Sequence, residues 1–148
     1  MGEVTRDPAV VAARLRTAKR ALVVSHTAPD GDAIGSALGA AEMIRTLGGS
    51  AVVLSHDPFP SSLAFLPGLD RVLAQTTMPR DWPDAYDLVV VLECPDLDRT
   101  GFDAMLRERP ILSIDHHLTS EAYGEINYLD AEAPAVGEMV LRVADAAS

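Results

Sequence analysis

ALVVSHTAPDGD, at residues 21–32, contains the transition that identifies the fold class. Residues 21–25 form a short and continuous apolar run, which is typical of a β-strand covered on both faces. The polar, glycine-containing turn at residues 26–32 follows this run. From there to residue 47 the apolar residues recur at helical spacing, until Gly48 and Gly49 end the pattern. A strand, a turn and a helix in this order form the repeating unit of an α/β domain.

Apolar runs and helical patterns alternate along the rest of the chain. Further strands are predicted at residues 51–55, 87–92 and 111–114, and residues 125–128 are predicted to add an edge strand. Helices are predicted from Asp7-Pro8, over residues 100–107, and from about Pro134 towards residue 146. The alternation predicts an α/β fold: a three-layer domain with a mainly parallel central sheet of about four to five strands flanked by helices.

The composition limits the classes of function. The 148 residues suit one domain, and the formal net charge of −10 disfavours a protein that coats duplex DNA, because like charges repel. The single cysteine, Cys94, excludes an internal disulfide framework and a zinc site of the CxxC type. No segment approaches the roughly 20 apolar residues that span a bilayer, and none has the pattern of a signal peptide. We therefore predict a cytoplasmic protein without a membrane partner.

Acidic and imidazole side chains follow each predicted strand at the point where it ends. In chain order these residues are His26, Asp30 and Asp32; His56 and Asp57; Glu93, Asp96 and Asp98; and Asp115, His116 and His117. Because the carboxyl ends of strands in an open α/β sheet form the ligand crevice, we expect these side chains to gather at one edge. A mixed set of nitrogen and oxygen ligands suits Mn²⁺, Fe²⁺ or Zn²⁺. The sequence thus predicts a metal-centred phosphate site.

Structural roles remain open for three acidic residues of this set. Asp32 could be a helix N-cap and Asp30 a turn residue, since aspartate is common at both positions. Glu93, at the end of the third predicted strand, could bridge two metal ions at the usual separation of about 3.5–4 Å. Alternatively, Glu93 could pair with Arg99 at the end of the strand.

The adjacent His116 and His117 are expected to have different tasks. Neighbouring residues on a strand point to opposite sides, so one histidine could ligate metal while the other faces substrate. The alternative is a pair of exposed loop histidines. Cys94 is predicted to be packed in the core and His56 to lie in a loop.

These residues resemble the DHH phosphoesterase family. The triplet Asp115-His116-His117 gives the family its name, and HTAPDGD at residues 26–32 matches its first motif, HxxxDxD. Further likeness runs through FLPG at residues 65–68, DLDRTG at residues 96–101 and NYLD at residues 127–130. The match covers essentially the whole chain in the expected order. It is closest to the branch of short-oligoribonucleotide hydrolases and 3′-phosphoadenosine-5′-phosphate phosphatases.

The resemblance implies a metal-dependent phosphoesterase with two ions, usually Mn²⁺, for which Mg²⁺, Co²⁺ or Fe²⁺ are alternatives. It also implies that short RNA oligonucleotides or small phosphorylated nucleotides bind at the site. The metal ligands that it implies are His26 and Asp30 on one ion, Asp32 and His116 on the other, and Glu93 between them. Asp115 would orient a ligand from outside the coordination shell, and His117 would contact the scissile phosphate or protonate the leaving oxygen.

Two features depart from the family pattern. The bridging residue is typically Asp, whereas this chain has Glu93, whose extra methylene moves the carboxylate outward. The family also has a fourth motif with another metal-binding Asp and then a carboxyl-terminal substrate-binding domain, and the 148 residues contain neither. We therefore expect residues 1–148 to be a DHH-type domain truncated before these parts, with self-association or a partner covering the open side.

Three functions remain open at this point. The first is hydrolysis of phosphoester bonds in short oligoribonucleotides or 3′-phosphoadenosine-5′-phosphate, weakened or lost in the 148 residues by themselves. The second is a non-catalytic module that binds metal or nucleotide. The third is a phosphoesterase acting on pyrophosphate, polyphosphate or cyclic dinucleotides. The retained ligand residues favour the first.

Overall fold

Seven parallel strands form one continuous sheet in the computed structural model, which describes residues 2–148. The strands are β1 (Glu3–Thr5), β2 (Arg20–Val24), β3 (Ser50–Ser55), β4 (Leu73–Ala74), β5 (Leu88–Leu92), β6 (Ile111–Asp115) and β7 (Ile126–Leu129). They lie in the order β1-β7-β6-β5-β2-β3-β4, and each neighbouring pair is parallel. Every residue of β5 and β6 is buried, which explains why their sequences are continuous apolar runs. The predicted α/β class is confirmed.

The sheet is wider than the sequence indicated. The predicted number of four to five strands was too low, because β1 and β4 have only three and two residues, too few for a recognisable pattern. The strand predicted at residues 125–128 exists but is not an edge strand, since β7 pairs with β6 on one side and β1 on the other. The two unpredicted strands occupy the edges, so the sequence identified all the central ones.

Three α-helices within residues 2–148 pack on one face of the sheet: α1 (Pro8–Thr17), α2 (Gly31–Thr46) and α3 (Val136–Ala147). The Asp7 side chain accepts the Ala9 N–H, which confirms the predicted start of the first helix. The other face is covered by loops and short 3-10 helices. Two of these, at residues 97–100 and 103–108, replace the predicted helix over residues 100–107, because Gly101 adopts a left-handed conformation (φ 81°) between them. No helix in this described range has the length and apolar character needed to cross a membrane.

The chain reverses its direction of travel across the sheet between β2 and β5. From β2 it moves outward to β3 and β4, whereas β5, β6 and β7 follow one another on the opposite side. Such a switch point opens a crevice at the carboxyl ends of the two adjacent strands. The fold therefore brings the turn that follows Val24 next to the turn that follows Leu92, although the two are far apart in the chain.

Candidate metal centre

Glu93 lies at the centre of the crevice, with imidazoles around its carboxylate. One carboxylate oxygen is 2.9 Å from Nε2 of His26. The other is 3.2 Å from Nε2 of His116 and 3.6 Å from Nε2 of His117. The segments that follow β2, β5 and β6 thus meet at one carboxylate, as the sequence predicted. Glu93 does not pair with Arg99 in the described structure, where its partners are the histidines.

In each of these three histidines the other ring nitrogen, Nδ1, forms a hydrogen bond on the side of the ring away from Glu93. Nδ1 of His26 is 2.5 Å from the Thr27 carbonyl oxygen, and Nδ1 of His116 is 2.9 Å from the Ala133 carbonyl oxygen. Nδ1 of His117 is 2.7 Å from the Asp115 carboxylate. A carbonyl oxygen can only accept, so Nδ1 carries the proton in the first two histidines. A histidine held in this way directs Nε2 towards a metal ion, as metal-binding histidines do.

Two groups of side chains have the spacing required to bind a cation, and Glu93 belongs to both. The ligand atoms of His26, Asp30 and Glu93 lie within 4.8 Å of one another, and so do those of Glu93, His116 and His117. A shared carboxylate between two imidazole-containing groups is the arrangement expected for a two-metal site. Mixed nitrogen and oxygen donors fit a transition metal such as Mn²⁺, Fe²⁺ or Zn²⁺. The residues present therefore fit the ions implied by the sequence.

The two aspartates of the first turn occupy different environments. The Asp30 carboxylate lies 3.9 Å from Nε2 of His26, accepts the Ala33 N–H and caps α2, and its side chain is 65% exposed. Asp32, for which the sequence left a role as N-cap open, does not cap this helix. Its carboxylate instead accepts the N–H groups of Val136 and Gly137, at 2.9 and 2.8 Å, and so caps α3.

Asp32 also remains near the predicted metal centre. One of its oxygens lies 4.0 Å from Nε2 of His116, although it belongs to neither group of close ligand atoms. The α3 N-cap residue, Ala135, has no side chain that can cap the helix. Asp32 therefore has a structural contact with the start of α3 in addition to its place near the predicted metal centre, which the sequence did not reveal.

Asp115 is fully buried at the end of β6. Its carboxylate accepts from Nδ1 of His117 and from the Ser120 hydroxyl. The contact is with His117, the histidine predicted to face substrate, and not with His116, the histidine predicted to bind metal. His117 is the most exposed of the three central histidines, with 35% of its side chain accessible, against 21% for His116.

The electrostatics of the cluster favour a charged Glu93. Burial alone would raise the pKa of Glu93, but the hydrogen bond from His26 and the neighbouring imidazoles outweigh it and lower the pKa below its ordinary value. The same hydrogen bond is the largest cause of the raised pKa of His26. For His116, burial lowers the pKa, whereas the bonds to Ala133 and Glu93 raise it to a value above normal. A cation that binds here takes the place of protons on the imidazoles.

Two residues of the site have left-handed backbone conformations that non-glycine residues rarely adopt. These are Glu93, with φ 57°, and Ala28, with φ 49°, in the turn between His26 and Asp30. Such a conformation costs about 1–3 kcal/mol and persists only where surrounding contacts enforce it. Glu93 is held by its N–H bond to the Ile114 carbonyl oxygen. The turn that follows β5 can therefore aim the carboxylate into the crevice.

Two predictions outside the centre have clear outcomes. Cys94 is buried, its thiol donates to the Asp96 carbonyl oxygen, and burial raises its pKa to about 12, so it is a packed residue as predicted. His56 does lie in the loop after β3, but it is fixed by Asp57, whose carboxylate accepts from Nδ1 at 2.8 Å. No pattern in the sequence indicates this contact beyond the adjacency of the two residues.

Comparison with known proteins matches residues 20–148 to the DHH family, N-terminal domain. The chain is 27% identical to the probable bifunctional oligoribonuclease and PAP phosphatase NrnA of Streptococcus mutans, over 88% of this chain and 40% of that protein. It is 30% identical to the bifunctional oligoribonuclease and PAP phosphatase NrnA of Thermus thermophilus, over 83% of this chain and 36% of that protein. The chain thus spans well under half the length of these relatives.

Solved structures share the fold. An exopolyphosphatase-related protein from Bacteroides fragilis superposes with a TM-score of 0.82 at 24% identity, over 95% of this chain and 44% of that one. RecJ from Thermus thermophilus, in complex with Mn²⁺, superposes with a TM-score of 0.54 at 12% identity, over 96% of this chain and 20% of that one. At these identities the likeness concerns the fold alone.

Proposed function

This chain belongs to the DHH family as an N-terminal domain, and we propose that it hydrolyses phosphoester bonds with two divalent metal ions bound around Glu93. His26, Asp30 and Glu93 would hold one ion. His116, Glu93 and Asp32 would hold the other. Asp115 and His117 would act on the substrate.

The observation that carries this proposal is the convergence of three Nε2 atoms on one buried carboxylate. Each imidazole is already held at Nδ1, so its remaining nitrogen is directed into a common space. The distances from these Nε2 atoms to Glu93 oxygens are 2.9, 3.2 and 3.6 Å. A histidine with a purely structural role does not require its Nε2 atom to face a carboxylate shared with two other histidines. Three of them around one carboxylate are typical of a metal site.

The chain's own residues supply binding, orientation and proton transfer. Two divalent ions in such a site lower the pKa of water and neutralise the charge of a phosphate. Asp115 fixes the ring of His117 by accepting from Nδ1, so Nε2 faces the crevice. In the imidazolium form, whose charge the Asp115 carboxylate balances, the Nε2–H would give its proton to the leaving oxygen and leave a neutral imidazole. The greater exposure of His117 suits this contact with substrate.

The substrate class and the metal are supported by the named relatives. Two of them are called bifunctional oligoribonuclease and PAP phosphatase, so we propose short oligoribonucleotides or 3′-phosphoadenosine-5′-phosphate as substrates. RecJ was solved in complex with Mn²⁺ on the same fold, which supports manganese as the metal. The net charge of −10 favours small substrates drawn to a bound cation over long nucleic acids.

The test is hydrolysis of a 5′-phosphorylated RNA dinucleotide, with 3′-phosphoadenosine-5′-phosphate and pyrophosphate in parallel, in the presence of Mn²⁺. Glu93→Gln, which keeps the size of the side chain but removes the charge, is expected to reduce hydrolysis to background. Glu42→Gln is the control, because Glu42 lies on the exposed side of α2, away from Glu93, and its carboxylate pairs with Arg45. Mn²⁺ binding by electron paramagnetic resonance is measured on the same samples.

Each outcome favours one function. Hydrolysis by the wild type and the control, lost in Glu93→Gln, supports the proposal. Mn²⁺ binding without hydrolysis of any substrate would favour a metal-binding module. Preference for pyrophosphate over both nucleotides would reassign the substrate class. Equal activity in Glu93→Gln would contradict the bridging role of this carboxylate.

A further inference from the structure

The turn between His26 and Asp30 has no regular secondary structure of its own and is held from outside by two backbone contacts. The Thr27 N–H donates to the Arg99 carbonyl oxygen at 2.7 Å. The Ala28 N–H donates to the Asp57 carboxylate, also at 2.7 Å. The second bond comes from the loop after β3, which contributes no residue to the two groups of potential metal ligands in the described structure.

Asp57 is itself fixed from several sides. Its other carboxylate oxygen accepts from Nδ1 of His56 at 2.8 Å, and the Ser55 hydroxyl donates to its carbonyl oxygen at 2.6 Å. The His56 ring packs edge-on against Phe102, with centroids 5.5 Å apart. Gly101 makes room for this ring, because a Cβ at that position would lie 2.5 Å from the imidazole. The carboxylate that meets Ala28 is therefore held in position by its surroundings.

We propose that Asp57, held by His56, is a positioning residue that fixes the turn between His26 and Asp30 and thereby sets the affinity for divalent metal. This inference rests on the proposed metal function. Ala28, at the middle of the turn, has the left-handed conformation that requires support from neighbouring contacts. The bond from its N–H to Asp57 supplies that support. Loss of the bond would let the two flanking ligands move apart.

The charge state of Asp57 suits this role. The hydrogen bond from His56, followed by that from Ala28, lowers the pKa of Asp57 below its ordinary value, so the carboxylate is ionised at neutral pH. A bond from a backbone N–H to an ionised acceptor is stronger than one to a neutral acceptor. An amide oxygen could still accept the same N–H, which distinguishes the geometric role from a role of the charge itself.

The experiment measures the dissociation constant of Mn²⁺ by electron paramagnetic resonance for the wild type and four variants. Asp57→Ala removes the contact, and we expect weaker binding by about tenfold to a hundredfold, the usual effect of losing a contact behind a metal ligand. Asp57→Asn keeps an acceptor and is expected to stay within about threefold of the wild type, since outer contacts act mainly through geometry. Asp57→Ser, too short to reach the Ala28 N–H, is expected to follow Asp57→Ala.

Asp70→Ala is the matched control, since Asp70 is an exposed aspartate on the 3-10 turn at residues 69–71. Urea unfolding in the presence of a chelator shows whether each variant is folded, and amide hydrogen exchange at Ala28 reports the bond directly. The proposal requires faster exchange at Ala28 together with weaker binding in the alanine and serine variants.

The outcomes separate this inference from the proposed function. Absence of Mn²⁺ binding by the wild type would overturn the proposed function and this inference with it. Mn²⁺ binding by the wild type, with equal affinity in Asp57→Ala and Asp57→Ser, would overturn this inference alone. Equal weakening in the Asp70→Ala control would also overturn it, because the effect would then not depend on the turn.

Discussion

Asp32→Asn tests whether Asp32 stabilises the fold independently of any metal. Its two carboxylate oxygens accept the N–H groups of Val136 and Gly137 at the start of α3, which has no cap of its own. Asparagine offers one oxygen, and its NH₂ group would face the second N–H. We therefore expect Asp32→Asn to lower the free energy of unfolding of the metal-free protein.

The magnitude follows from the two bonds. Loss of a helix cap costs about 1 kcal/mol, and loss of a negative charge at a helix N-terminus costs roughly 0.3–1 kcal/mol more. A partly buried N–H left without an acceptor adds to this cost. We expect a decrease of about 2 kcal/mol in total, which in a chain of this size lowers the midpoint of thermal unfolding by about 4–8 °C.

The assay is urea and thermal unfolding in the presence of a chelator, with Asp30→Asn as the control. Asp30 caps α2 with one oxygen, which asparagine also supplies, so the control should lose only the contribution of the charge, roughly 0.3–1 kcal/mol. If Asp32 were a metal ligand without a structural role, Asp32→Asn would increase the stability of the metal-free protein, since removing one charge from a chain of net charge −10 relieves repulsion. Unchanged or increased stability of metal-free Asp32→Asn would refute the capping role.

Two further predictions concern the stability of the fold. Burial raises the pKa of Asp130, but the bonds from Arg142 and Arg6 outweigh burial, so the pKa in the folded protein is lower than normal. The stabilisation that Asp130 gives is therefore present above its unfolded pKa of about 3.9, and it is lost as the pH falls through the folded pKa. Asp130→Asn should therefore lower the free energy of unfolding, measured in urea, by about 1 kcal/mol at pH 7 and by progressively less below pH ~4. A decrease that is the same at both pH values would contradict the ionic role of Asp130. Leu112→Ala, in the fully buried β6, should lower the free energy of unfolding in the same assay by about 2–5 kcal/mol, because it leaves a cavity in the core. A decrease below about 1 kcal/mol would mean that neighbouring side chains move in and fill this cavity.

Local sequence patterns were sufficient for most of the architecture. The five central strands and the three α-helices were predicted because buried parallel strands and amphipathic helices have characteristic spacings of apolar residues. The short edge strands β1 and β4 were not predicted, because two or three residues carry no periodicity. Gly101 divided the helix predicted at residues 100–107, since a single left-handed residue is invisible to a count of apolar positions.

The sequence also predicted which residues gather at the site, but not how they are connected. Every parallel strand ends at the same edge of the sheet, so polar residues after the strands must lie near one another whatever the strand order. This reasoning placed His26, Glu93, His116 and His117 together, and the structure brings Nε2 of each histidine within 3.6 Å of a Glu93 oxygen. The DHH triplet and the first motif were sufficient to indicate the family.

Only the tertiary structure assigned partners to the individual atoms. The strand order sets β5 beside β2 and so makes Glu93 the common neighbour of the imidazoles. Asp32 caps a helix that begins more than a hundred residues later, and Asp57 holds the N–H of Ala28 from another loop. A local pattern records what one segment buries and where it turns. It does not record which distant hydrogen-bond donor meets which acceptor, because that is determined by the packing of all the segments together.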